Sequence, residues 1–258
     1  MDITNLLESV TGTVREASTL MNKPFEVTHK GNLSNIVTTN DRIVQECLKT
    51  RLQDLLPDSG FLCEEDDFNY VRKNTWIIDP IDGTANYSRG IDFCAISVAL
   101  VQEGKTLMGV VYLPFKDEMF TSIVGKGAYC NHKRINVSRR TFDDSIFCSS
   151  LCAYHKENMA LCSKIINETF LQCNDVRRFG SAATELCYIA MGRCELFFEY
   201  ELSPWDYASA SLILREAGGY LTDIHGKALD YDHNTGIIAA NNMANLKHLG
   251  NIVAKYVK

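Results

Sequence analysis

Apolar residues recur at helical spacing from the start of the chain, at Ile3, Leu7, Val10, Val14, Ala17 and Met21, which is one face of a 3.6-residue repeat. A second helix is predicted from the start signal Thr39-Asn40-Asp41, its apolar face carrying Val44, Cys47, Leu48, Leu52 and Leu55. The period then shortens to that of strands. Residues 93–101, 106–112 and 118–124 read as strands joined by turns containing Gly104 and Pro114, in a meander that continues to Asn131. The first half therefore predicts two helices on an antiparallel sheet.

The second half alternates. Strands are predicted near residues 146–149, 176–179, 194–198, 220–222 and 237–240, and helices over about 157–170, 181–191, from Asp206, and from Asn242 toward Tyr256. Alternation of this kind predicts a second, α/β lobe. No repeat, low-complexity stretch or Pro/Gly/Ser linker interrupts the chain, so one domain over 1–258 is expected, with an α+β lobe at about 1–140 and an α/β lobe at about 141–258. With 258 residues, 46% hydrophobic and 22% charged, a sizeable core is available.

The chemistry concentrates in W-I-I-D-P-I-D-G-T-A-N, residues 76–86. Trp76, Ile77 and Ile78 read as a buried strand, Pro80 fixes φ, and Gly83 allows close backbone approach. Asp79 and Asp82 then face one site from a tight turn. Hard divalent cations such as Mg²⁺ take oxygen ligands, combining one or two carboxylates with substrate phosphate. If a helix starts there, the N–H groups of Gly83, Thr84 and Ala85 suit the phosphate. A plain acidic turn is the competing reading.

Two distant segments supply further carboxylates: Cys63-Glu64-Glu65-Asp66 after Phe61-Leu62, and Trp205-Asp206 opening an apolar helix that runs to Gly218-Gly219. Asp206 also has an ordinary role as a helix cap that complements the dipole.

Together, E-E, D-P-I-D-G-T-x-N and W-D-x-A…E-A-G-G resemble the segments of the inositol monophosphatase family of Mg²⁺-dependent, lithium-sensitive phosphatases. Residues 38–41, 180–183 and 239–242 fit the same order, so the resemblance covers nearly the whole chain. It implies a layered αβαβα sandwich, as in the inositol monophosphatase and fructose-1,6-bisphosphatase superfamily, and a phosphomonoesterase that is often a homodimer.

Charge argues for cations independently, because Glu64, Asp79, Asp82 and Asp206 in one cleft would repel unless neutralised. Two cations roughly 3.5 to 4 Å apart would hold attacking water and leaving oxygen in line. The resemblance implies Glu64, Asp79 and the Ile81 carbonyl on a first Mg²⁺, Asp79, Asp82 and Asp206 on a second, and a weaker third ion near Glu64. Thr84 and Asp41 match the family's water-activating pair, although Asp41 reads equally as a helix cap. Gly180, Ser181 and Ala182 form a strand-to-helix turn whose N–H groups would face substrate, with an ordinary helix start as the alternative. Glu199 is implied to accept from substrate hydroxyls. The substrate is thus expected against Asp82, Gly83, Thr84 and Asp206 on the phosphate side, and against Gly180, Ser181, Ala182 and Glu199 elsewhere. No histidine is assigned a role.

The chain departs from the family pattern at Cys63, Asn35 and Pro204 while keeping every catalytic carboxylate. Only Lys156 is basic in the segment 151–157, which disfavours a second anion pocket and favours a small polyol monophosphate such as inositol monophosphate. Fructose 1,6-bisphosphate and 3′-phosphoadenosine 5′-phosphate are the alternative substrates; a regulatory binding protein with a vestigial site is the alternative of another class. The net charge of −6 offers no basic field to nucleic acid or anionic membranes. Ten scattered cysteines without C-x-x-C spacing read as free thiols, and residues 1–10 lack a basic region followed by an apolar core, so a cytoplasmic location is expected.

Overall fold

The computed structural model describes residues 2–31, 34–68, 73–153 and 155–257. Helix α1 (Ile3–Ser18) leads through the hairpin β1 (Val27–His29) and β2 (Ile36–Thr38) to α2 (Thr39–Leu55). The strands β3 (Gly60–Cys63), β4 (Asn74–Asp82), β5 (Ala95–Gln102), β6 (Lys105–Leu113), β7 (Glu118–Ile123), β8 (Ala128–Cys130) and β9 (Lys133–Ile135) form one sheet in chain order. A single helical turn, α3 (Thr84–Tyr87), interrupts them. The remaining elements are β10 (Ile146–Ser149), α4 (Met159–Phe170), β11 (Asp175–Arg177), α5 (Ala182–Ala190), β12 (Leu196–Leu202), α6 (Pro204–Glu216), β13 (Tyr220–Asp223), β14 (Thr235–Ala240) and α7 (Met243–Val253). Their strands make a second sheet in the order β11-β10-β12-β14-β13.

Strand alternation sends successive side chains to opposite faces, and the three apolar cores follow from it. Trp76, Ile78, Val98 and Val110 pack with Val10, Val14, Val44 and Leu48 of α1 and α2. From the other face, Ile77, Ala99 and Val111 join Leu186 of α5, Ile213 of α6, and Phe197 and Ala239 of the second sheet. The far face of that sheet, with Phe147, Phe198 and Ile238, is covered by Ile165 of α4 and Leu249 of α7. The layers are helix, sheet, helix, sheet, helix, as the resemblance implied.

Several details differ from the pattern expected of the sequence. The first sheet is mixed, because β3 pairs parallel with β4, and this unassigned edge strand is what delivers Glu64. In the second sheet β10 pairs parallel with β11 and β12, whereas β14 runs antiparallel to β12 and β13. The strand expected at 176–179 ends at Arg177, since the N–H of Phe179 donates instead to the Glu185 carboxylate at 2.7 Å. Among the described residues no helix is long and apolar enough to cross a membrane.

The middle layer sets the site. A Cβ on Gly109 of β6 would lie 2.5 Å from the Ser209 carbonyl of α6, so glycine alone permits this helix to lie so close to the sheet. Ser97 of β5 donates to the Trp205 carbonyl at 3.2 Å and meets the Ser209 hydroxyl at 2.5 Å. The first turn of α6 is thereby fixed beside Asp79, which is the register partner of Ser97.

Candidate active site

Asp79 and Asp82 are three residues apart, and a regular strand would send them to opposite faces. The β4–β5 register instead shifts between them. Pro80, which has no N–H to give the ladder, lies within this irregularity. Asp79 is held by the Ile81 N–H at 3.0 Å. Asp82 reaches across to the start of α5, accepting from the Ser181 hydroxyl at 2.6 Å and the Ala183 N–H at 2.7 Å. Asp206 completes the group from the first turn of α6, where its carboxylate also accepts the Ser203 N–H at 2.7 Å in a capping box. One oxygen from each of these three aspartates lies within 4.8 Å of the others.

Glu64 follows β3 and hydrogen-bonds the Asp79 carboxyl group. Lys30 Nζ stands 3.5 Å from Glu64 and also pairs with Glu65. The clustering shows in the acidities. Burial, opposed by Lys30 and reinforced by Glu65 and Asp41, pushes Glu64 up to about 7, and burial lifts Asp82 to about 6 against its hydrogen bonds from the α5 terminus. Asp79 and Asp206 are raised well above the carboxylate range by burial first and by their acidic neighbours second. Such a group is costly without positive charge. Its all-oxygen donor set, with the Ile81 carbonyl alongside, has the chemistry of a hard divalent cation site.

Thr84 adjoins this group. Its hydroxyl lies 3.1 Å from Asp41 Oδ1 and 3.0 Å from the Ile81 carbonyl. Asp41 caps α2 and also contacts Thr84: Oδ2 accepts from the Thr38 N–H at 2.7 Å as part of the α2 capping box, while Oδ1 faces Thr84. Gly83, at φ +89, is irreplaceable for a geometric reason, because a Cβ there would approach the Phe93 carbonyl to 2.8 Å and that of Gly180 to 3.1 Å.

Glu64, Asp79, Asp82, Gly83, Thr84 and Asp206 line one cleft of about 510 Å³, together with Lys30, Arg89, His155, Arg178 and Glu199. Gly180, Ser181 and Ala182 also line it, but the Gly180 N–H does not face outward as expected. The Gly180 N–H donates to Glu185 at 3.0 Å, and the Ser181 hydroxyl and the Ala183 N–H donate to Asp82, so these donors hold protein carboxylates. Glu199 accepts from the Ser150 hydroxyl, and burial raises it to about 7.

Lys30, Ser150 and Glu185 were not legible as site residues. Lys30 lies in the polar stretch H-K-G-N without a motif, and Ser150 and Glu185 gain their roles from contacts 49 and five or six residues away. Only Glu185 had a local signal, as an acid in the first turn of a helix.

The sequence profile of the inositol monophosphatase family matches residues 3–258. Inositol monophosphatase 3 of Solanum lycopersicum is 35% identical over 233 residues, covering 87% of this chain and 85% of its own length. Nus factor SuhB of Vibrio cholerae is 34% identical over 220 residues, with 84% and 82% covered. The crystal structure of the extragenic suppressor protein suhB from Bartonella henselae superposes with a TM-score of 0.89 at 31% identity, covering 98% of this chain and all of that one. With the carboxylate-bearing turn, the layered fold and a profile match along nearly its entire length, the chain belongs to the inositol monophosphatase family.

Proposed function

We propose that this protein is a Mg²⁺-dependent phosphomonoesterase acting on a small polyol or sugar monophosphate, with inositol monophosphate as the first choice. The observation that carries the reading is the convergence of Asp79, Asp82 and Asp206 within 4.8 Å beside the Thr84–Asp41 pair. Glu64, Asp79 and the Ile81 carbonyl would hold one Mg²⁺, and Asp79, Asp82 and Asp206 a second, with Glu64 the candidate for a weaker third. Bound there, the ions supply charge neutralisation for the phosphoryl oxygens and lower the pKa of coordinated water.

The chain's own groups supply orientation. Thr84 Oγ1 takes a proton from water on its cleft side while passing its own toward Asp41 Oδ1, the carboxylate being held in place through Oδ2 by the Thr38 N–H. Asp82 and Asp206 are kept from rotating by their helix-terminus hydrogen bonds. Glu199, fixed through one oxygen by Ser150, has its other oxygen for substrate hydroxyls. Near pH 7 it titrates, so its acceptor role strengthens toward alkaline pH.

Arg89 and Arg178 also line the cleft, which supports fructose 1,6-bisphosphate or 3′-phosphoadenosine 5′-phosphate as the second reading. A regulatory binding role is the reading of another class, motivated by relatives named Nus factor SuhB. The homodimer and cytoplasmic location implied by sequence belong to the same proposal. The test is phosphate release with Mg²⁺ across a panel of inositol 1-phosphate, sugar monophosphates and the two bisphosphates. A preference for a bisphosphate overturns the substrate, and absence of turnover on every ester overturns the enzyme.

A further inference from the structure

One thiol at the substrate side of the cleft, and a second buried behind it, are unused by the chemistry above. Cys152 lies in the loop leaving β10, in the left-handed region at φ +52, and lines the cleft. Cys162, ten positions later on α4, is fully buried in the core with Phe147 and Ile165. Their Sγ atoms are 2.8 Å apart. A disulfide needs about 2.05 Å, so an approach of less than about 1 Å would join them. Cys148 and Cys194 also hydrogen-bond each other, but neither lines the cleft, so no small oxidant reaches them by this route.

We propose that Cys152 and Cys162 form a reversible dithiol–disulfide site, oxidised from the cleft by a small peroxide. The Cys152 sulfur attacks one oxygen of hydrogen peroxide, the O–O bond breaks, and one water leaves after proton transfer, giving a sulfenic acid. The Cys162 sulfur then displaces that oxygen as a second water and forms the S–S bond. In total, two thiols lose two protons and two electrons while one peroxide becomes two waters. The hydrogen bond with Cys162, then burial, and last the nearby Glu199 and Glu201 disfavour the Cys152 thiolate, so the reaction calls for peroxide in excess.

The bond would stiffen the segment that carries Ser150 and His155. Ser150 holds Glu199, and His155 Nε2 stands 3.6 Å from Glu201. Resting on the proposed hydroxyl-binding role of Glu199, the consequence is a raised KM with kcat little changed, because neither thiol is hydrogen-bonded to a residue of the aspartate cluster.

The experiment treats the Mg²⁺-loaded protein with excess hydrogen peroxide, blocks residual thiols by alkylation and maps the peptides. The expected result is a Cys152–Cys162 link that dithiothreitol reverses, a melting temperature raised by several degrees through closure of the short loop, and the KM change, all absent in Cys162→Ser. Recovery of Cys152 and Cys162 unlinked, or a link confined to Cys148–Cys194, overturns the site, and a Cys152–Cys162 link with unaltered KM overturns its proposed consequence for substrate binding. A link with raised melting but no turnover on any ester upholds the thiol site and refutes the phosphatase reading instead.

Discussion

The Thr84 hydroxyl stands 3.1 Å from Asp41 Oδ1, across 43 residues of sequence. The same carboxylate caps α2 through its other oxygen, so a rigid helix terminus holds the acceptor in place. Asp41 is fully buried, and burial raises it above the ordinary aspartate range, which makes it a better proton acceptor than a solvated aspartate.

Thr84→Ala is therefore expected to lower kcat by roughly 10²- to 10⁴-fold, with a smaller change in KM. Thr84→Ser, which keeps the hydroxyl, is expected to retain most of the activity. Steady-state kinetics on the best ester of the panel checks both. An active Thr84→Ala enzyme altered only in KM would move Thr84 from water activation to substrate binding.

The carboxylate cluster links stability to pH and metal. Its groups are raised in the folded chain, Glu64 to about 7 and Asp82 to about 6, above their unfolded values near 4. Such groups favour folding below the unfolded pKa and lose that contribution as pH rises through the folded one. In chelator, the melting temperature is expected to fall between about pH 4 and 7, and Mg²⁺ should restore it at neutral pH. Asp79→Asn should shrink the Mg²⁺ increment without lowering apo stability, as calorimetry with and without Mg²⁺ will show. Equal increments in both proteins would remove Asp79 from the ligand set.

How much of this was legible in sequence depends on how local each feature is. Asp79, Asp82 and Thr84 sit within six residues around a proline and a glycine, so turn chemistry exposed them directly. Asp41 and Asp206 were visible as helix starts, and the structure keeps both caps while Asp206 lines the cleft and Asp41 sits buried behind Thr84. The turn at Gly180 was found, but the direction of its N–H groups was not, because the partners are Glu185 and the distant Asp82. The register shift that turns Asp79 and Asp82 to one side depends on pairing with β5, which alternation along a single strand does not encode. Lys30 and Ser150 escaped for a similar reason: a lysine in a polar loop and a serine at a strand end become site residues only through tertiary contacts.

Glu185, which is not itself a proposed metal ligand, provides a further pH test. It is buried, accepts the N–H groups of Phe179 and Gly180, and is pushed up to about 8 chiefly by burial, with Glu199 adding repulsion. Its contribution to folding is therefore present below about pH 4.5 and lost as pH rises through about 8. Glu185→Gln keeps an acceptor for both N–H groups without the charge. The variant is expected to be more stable than the parent at pH 8 and to show a shallower decline between pH 5 and 8, where a full proton difference is worth about 1.4 kcal/mol per pH unit. Parallel pH profiles of urea midpoints would mean that Glu185 does not titrate in this window.

Substrate discrimination should rest on Glu199 and its support, because the carboxylate cluster can serve any phosphoryl group. A buried acceptor built to pair with hydroxyls rejects analogues lacking them by leaving itself unpaired. Glu199→Gln is expected to narrow the preference for inositol 1-phosphate over 3′-phosphoadenosine 5′-phosphate, acting on KM more than kcat. Ser150→Ala should produce a weaker version of the same change, since it frees the Glu199 carboxylate without removing it, and Ser150→Thr should recover the parent preference. Ratios of kcat/KM for the two esters measure this directly. A preference unaltered in Glu199→Gln would place discrimination elsewhere in the cleft, with Arg178, whose charge acts on Glu199, the next side chain to substitute.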